Sequence, residues 1–134
     1  QGSLCIQDAK AIQMNIFQTV YTLLNVDSVT DLVDDISPYV RARDTNFPAI
    51  IIEIPSQQFD RLSTGVYRIT SDVEVACMAR SVLEAEAVAD AVLLVVAADN
   101  CTALDSVSRE YEEGYDDDSV GLFTVTINYT SFGA

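Results

Sequence analysis

The 134-residue sequence contains no histidine, which removes the commonest general base and the commonest zinc ligand together. A Ser-His-Asp or Cys-His mechanism is impossible within one chain. Lysine is nearly missing as well. Lys10 is the one example, on an expected helix and in no recognisable motif, so a Ser-Lys pair has no support. Five glycines with no GxGxxG or GxxxxGK spacing leave no cradle for phosphate. Nucleophilic and nucleotide chemistry both fall away, no cofactor is implied, and the chain does not read as an enzyme. Tryptophan is absent too, so the core must be aliphatic, with Phe and Tyr in support.

Basic charge is the next scarcity. Seven Lys and Arg stand against 21 Asp and Glu, a formal charge of −14. Proteins bind polyphosphate through cations that displace its counterions, so specific DNA or RNA binding is not expected, nor is docking on an anionic membrane. An acidic surface still serves near DNA, by repelling it. The three cysteines, Cys5, Cys77 and Cys101, are odd in number, far apart and without CxxC pairing, which reads as thiols in a reducing compartment. Cys77 is expected in the core, and Cys5 and Cys101 are expected to be inert. No signal peptide is read at the start, and whether Gln1-Gly2-Ser3 is native stays open. The most apolar helical stretch, residues 85–98, is interrupted by Glu86 and Asp90, short of the roughly 18 apolar residues that cross a bilayer.

What is present describes one folded domain over residues 1–134. Apolar residues make up 49% and charged residues 21%, and a chain of this length buries roughly 70% of its unfolded surface without metal or disulfide. Ile12, Ile16, Val20 and Leu23/Leu24 recur at the helical period, predicting a helix over residues 8–25 with Asp8 as N-cap. Ser28-Val29-Thr30-Asp31 predicts a helical turn or two, ending near Ile36 and stopped by Ser37-Pro38. Residues 39–47 have no period and read as an exposed loop. Ala49-Ile50-Ile51-Ile52-Glu53-Ile54 reads as a strand covered on both faces and ended by Pro55, with a polar connection over residues 56–64.

Residues 65–80 alternate with a period of two. Ile69, Val73, Val75, Cys77 and Ala79 lie on one side, while Arg68, Thr70, Asp72, Glu74 and Arg80 lie on the other. Ser81-Val82-Leu83-Glu84 is a capping box that starts a helix to about Ala98. Leu83, Ala87, Val88, Ala91, Leu94 and Val95 form its expected apolar face. A strand over residues 104–112, a turn, and a strand over residues 120–132 complete the chain. The expected architecture is α/β (α+β): two helices on one face of a four-stranded, mainly antiparallel sheet, in the order α-β-β-α-β-β.

Two groups of side chains stand out as candidate sites. Glu112, Glu113, Asp116, Asp117 and Asp118 crowd one turn. Against a calcium-loop pattern, Asp116, Asp118 and Gly121 fit positions 1, 3 and 6, but Val120 and Ile127 fall where oxygen ligands belong. A solvated turn is the plain reading; a Mg²⁺ or Ca²⁺ site and a negative patch shown to a partner are the others. Arg41, Arg43 and Asp44 are either ordinary surface charge or an interface anchor. Tyr111 and Tyr115 read as packing or rim residues. The second strand, about 15 residues or roughly 50 Å long, is more than a compact domain of this size spans. It either bends or projects to grip a neighbour.

The sequence resembles the tail terminator (tail completion) proteins of long-tailed bacteriophages and gene transfer particles. The resembling parts are the first helix ending in Leu23-Leu24, the Val29-Thr30-Asp31-Leu32-Val33 segment, Ile36-Ser37-Pro38, and Phe47-Pro48-Ala49-Ile50-Ile51. The long alternating strand, the Ala-rich helix after Ser81 and the final strands around Tyr115-Asp116 and residues 123–129 complete it. The resemblance implies a structural virion subunit that forms a ring, a hexamer by the family's habit. The ring ends the tail tube and joins it to the head connector, and DNA passes through it without specific binding. It implies assembly in the host bacterial cytoplasm and residence in the virion tail or neck. Its partners are further copies of the chain, the tail-tube protein and a head connector or adaptor. A head–tail connector or neck adaptor and a small metal- or ligand-binding module remain the alternatives.

Overall fold

The computed structural model describes residues 6–8, 16–38, 46–112 and 121–133. In chain order the elements are β1 (Ile6–Asp8), α1 (Ile16–Leu24), α2 (Asp27–Thr30), β2 (Asp35–Pro38), β3 (Ala49–Ser63), β4 (Val66–Ala79), α3 (Val82–Ala98), β5 (Thr102–Glu112) and β6 (Leu122–Phe132). The strands form one sheet in the order β2-β3-β4-β6-β5, with β1 pairing β4 outside that path. All pairings are antiparallel except β2 with β3. Because β6 lies antiparallel between β4 and β5, those two run parallel, and α3 is the crossover that joins them.

The mixed class and the mainly antiparallel sheet agree with the sequence, but the element count is corrected. Six strands and three helices replace four and two among the described residues. Asp8, expected to cap the first helix, lies in β1 opposite Val66. Ile36-Ser37-Pro38 is strand rather than helix end, with Ile36 opposite Ile50. Proline is tolerated there because β2 is an edge strand, where a missing N–H costs no ladder bond. Pro55 likewise fails to stop β3. The register shifts between Glu53 and Ser56, and such an irregularity absorbs a residue without a donor. The expected polar connection is therefore the second half of β3. Gly65 does not open β4 but sits in the turn before it, at φ 76°, a left-handed value glycine reaches without strain.

The alternation in β4 is as expected. Ile69, Ser71, Val73, Val75, Cys77 and Ala79 are all buried. They share one face with Ile50 and Ile52 of β3 and with Val125, Ile127 and Tyr129 of β6. The helices cover this face, Val20 and Leu24 of α1 and Val88, Val92 and Val96 of α3 joining the same core. Ala49 and Ile51, on the opposite face, are also buried, in keeping with a strand covered on both sides.

The capping box forms, with one change. The Glu84 N–H donates to Ser81 Oγ at 3.3 Å, and the Ser81 hydroxyl donates to Glu84 Oε1 at 3.1 Å, in place of the expected Ser81 amide. The helix it starts turns differently from its expected phase. Ala85, Val88, Ala89, Val92 and Val96 are buried, whereas Leu83 is 83% exposed and Leu94 74%. A helix apolar almost all round gives no unique inward face from sequence, and the sheet chose the side with the smaller residues.

Candidate interaction surfaces

Of the candidate site residues, Glu112 alone falls among the described ones. It is exposed at the end of β5, opposite Leu122. Arg41, Arg43, Asp44, Glu113, Asp116, Asp117 and Asp118 lie outside the described residues, as do Tyr115 and Cys5. Tyr111 packs: its ring lies 4.4 Å from that of Phe123 at a 32° tilt. A Cβ at Gly121 would overlap the Tyr111 ring, so glycine there permits that close approach. Cys77 is a core residue whose thiol burial pushes up to about 12, which keeps it unreactive. Cys101 is disulfide-bonded, which corrects its reading as a free thiol. Among the described residues no group of three metal-ligating side chains converges, and no helix is long and apolar enough to cross a membrane.

Three surfaces carry the remaining chemistry. The first is the face of the sheet opposite the helices. Register places Glu53 across from Glu74, Asp72 across from Thr130, Glu74 across from Asn128 and Glu110 across from Thr124. Hydroxyls and amides tie it laterally. Thr130 Oγ1 donates to Asp105 Oδ2 at 2.8 Å, Ser56 Oγ to Asp72 Oδ2 at 2.6 Å, and Asn128 Nδ2 to Ser106 Oγ at 3.2 Å. The carboxylates of Glu53, Asp72, Glu74, Asp105 and Glu110 thus share one face, to which β4 adds Arg68 near the hairpin, opposite Asp60. The alternation of β4 and of β6, where Thr124, Asn128 and Thr130 alternate with Val125, Ile127 and Tyr129, is legible in the sequence, whereas that of β5 is broken between Leu104 and Ser106.

The second surface is the β3–β4 hairpin. β6 pairs with β4 only from Thr70 onward, and β2 pairs with β3 only up to Ile52. The outer edge of β3 over residues 53–63 therefore has no strand partner among the described residues. Phe59 and Leu62 are each 47% exposed there, and the Arg61 guanidinium donates to Thr64 Oγ1 at 3.2 Å. The long second strand, expected either to bend or to project, is β4, and at this hairpin it pairs with β3 on one side and with β1 on the other.

The third is a cleft of about 250 Å³ between the first turns of α3 and strands β5 and β6. Val82, Ala85, Tyr111, Phe123 and Val125 give it apolar walls, and Glu86, Arg109 and Glu110 stand among its lining. Arg109 Nε donates to Glu86 Oε2 at 2.7 Å and Nη2 to Oε1 at 3.0 Å. That forked bond holds the Glu86 carboxyl below its usual range and raises Arg109. The pair is solvated and fixes geometry more than stability.

No family model matches the chain, and no curated protein does. Among solved structures it is similar to a chain from the virion of a native gene transfer agent particle. The TM-score is 0.50 at 14% identity, over 84% of this chain and 90% of that one. At that identity the likeness is one of fold: a mixed α+β domain of the same architecture.

Proposed function

We propose that this chain is a structural virion subunit, and more narrowly a tail terminator that closes the tail tube as a ring and offers the surface for the head connector. The observation that supports the reading is the shared architecture with a gene transfer agent virion chain, over 84% of this chain and 90% of that one. The resemblance of the sequence to tail terminator proteins points the same way. The exclusion of histidine-based and nucleotide chemistry is consistent with it. In this reading the carboxylate-bearing sheet face, together with Glu113, Asp116, Asp117 and Asp118, borders the passage, and negative charge lets DNA slide without sticking.

Particles assembled without the chain test the proposal. The expected result is tails of irregular length, unattached to heads, with joining restored by adding the purified protein. Normal, DNA-filled, joined particles in its absence would reject it. Native mass spectrometry separates the finer alternatives, since six subunits fit a terminator and twelve a neck adaptor. Charge reversal at Asp116, Asp117 and Asp118 together should slow DNA delivery without blocking ring assembly. Unchanged infectivity of that triple variant would remove these three carboxylates from the passage.

A further inference from the structure

We infer that Cys5 and Cys101 close a disulfide clasp that straps β1 over the edge of β4 beside the hairpin, so that the cover of this edge depends on the redox state of the surroundings.

The sequence has three cysteines. Cys101 is in a disulfide and Cys77 is a buried free thiol. Cys5 is the one sulfur of the chain left to complete the bond. It lies outside the described residues, but its neighbour Ile6 is among them.

Register brings Ile6 and Cys101 together. Ile6 stands opposite Arg68 of β4, on the edge that β3 does not occupy. Further along that edge Phe132 of β6 stands opposite Thr70, and its N–H donates to the Cys101 carbonyl at 2.8 Å. Ile6 and Cys101 are thus two residues apart along the strands and one strand apart across them, roughly 8 Å between Cα atoms. Because β1 is antiparallel to β4, its direction points the chain before Ile6 from Arg68 towards Thr70. One further residue moves a Cα by about 3.8 Å, enough to enter the ~4.4–6.8 Å that a disulfide spans.

Little else holds β1 in place. It is three residues long and its one strand partner is β4, a ladder at the short limit for strands. Yet among the described residues it alone pairs with that edge of β4 over residues 66–68, since β6 begins its pairing at Thr70. A bare strand edge is a template for pairing with another chain. With the clasp shut, β1 stays at the edge as an intramolecular partner. With it open, three residues of ladder must hold alone.

Closing the clasp oxidises two thiols to one disulfide. The two electrons and two protons pass by thiol–disulfide exchange to a small-molecule disulfide, which leaves as two thiols. The clasp is open where thiols are kept reduced and shut in an oxidising medium.

Two measurements on the full chain test this. The chain is oxidised with glutathione disulfide, alkylated while folded, and mapped as non-reduced peptides by mass spectrometry. A Cys5–Cys101 linkage is expected, with Cys77 alkylated only after unfolding, which also reports that the core is intact. A linkage through Cys77, disulfides between chains only, or three free thiols would overturn the inference. Backbone hydrogen exchange then compares the oxidised chain, the same chain in a reducing agent, and Cys101→Ser. Opening should speed exchange at β1 and at residues 66–68 roughly tenfold or more, while Val73, Val75 and Cys77 stay protected. The reducing agent should change nothing further in Cys101→Ser, and the reduced unsubstituted chain carries the comparison if that variant does not fold. Equal protection of residues 66–68 with the bond present and absent overturns the strap. Loss of protection along the whole of β4 does so too, because the bond would then hold the fold rather than one edge.

Discussion

Among the described residues Tyr129 is the largest fully buried side chain, yet its hydroxyl has no hydrogen-bond partner among them. A buried, unpaired hydroxyl costs more than the same volume of hydrocarbon. Tyr129→Phe should therefore leave stability unchanged or raise it by about 1 kcal/mol, read as a shift in the urea midpoint at constant slope. A clear loss would mean that the hydroxyl is paired.

Burial also links this core to pH. The Cys77 thiol rises from 9.0 to about 12, so its contribution is complete below pH 9.0. It is lost progressively towards 12, because the unfolded chain releases its proton first. Tyr129, raised by burial and then by Asp99, adds a second loss of the same sign beginning near its ordinary value of 10.0. Unfolding midpoints should fall through this window. Cys77→Ala should remove the part that begins at 9.0, and an unaltered slope in that variant would count against the assignment.

At the scale of elements, α3 depends on its start more than on its composition. Leu83 and Leu94 face solvent, so one face of the helix gains nothing from packing, and the reciprocal bonds between Ser81 and Glu84 fix where it begins. Ser81→Ala should cost about 1 kcal/mol, measurable by chemical denaturation, whereas a surface serine of no structural role would cost almost nothing. The helix end is held separately. The Thr102 hydroxyl donates to the Val96 carbonyl at 2.6 Å, and the Cys101 amide donates to Asp99 Oδ1 at 2.7 Å. These bonds set how α3 hands over to β5, and so how one wall of the cleft is placed.

At the scale of the molecule, stability and function pull apart on the open sheet face. Glu53 and Glu74 stand directly opposite each other across β3 and β4, and like charges in that relation are destabilising. Glu74→Lys should raise stability by a few tenths of a kcal/mol up to about 1 kcal/mol, read by thermal melting. In assembled particles the same substitution should slow DNA delivery, because it puts a cation on the proposed passage wall. A variant that is more stable and equally infective would remove this face from the passage. The β4 half of the arrangement was legible in the alternation of residues 65–80, and Ile50 and Ile52 were legible as core from an apolar run. The face as a whole was not, since it is assembled from four strands whose registers lie far apart in the chain.

Composition alone determined one thing whatever the fold: with no histidine in the sequence, these residues supply no imidazole base or ligand. Local pattern determined the alternating strand and the Ser81 start of α3, because those signals depend on neighbours within a few residues. Only the tertiary structure decided that Pro38 and Pro55 lie within strands, since whether a missing N–H matters depends on which edge is paired. It also decided which side of an almost uniformly apolar helix turns inward, a choice made by the shape of the sheet beneath it. Likewise it alone set hairpin and cleft at opposite ends of one molecule, because that separation follows from strand order and register, quantities no single stretch of sequence contains.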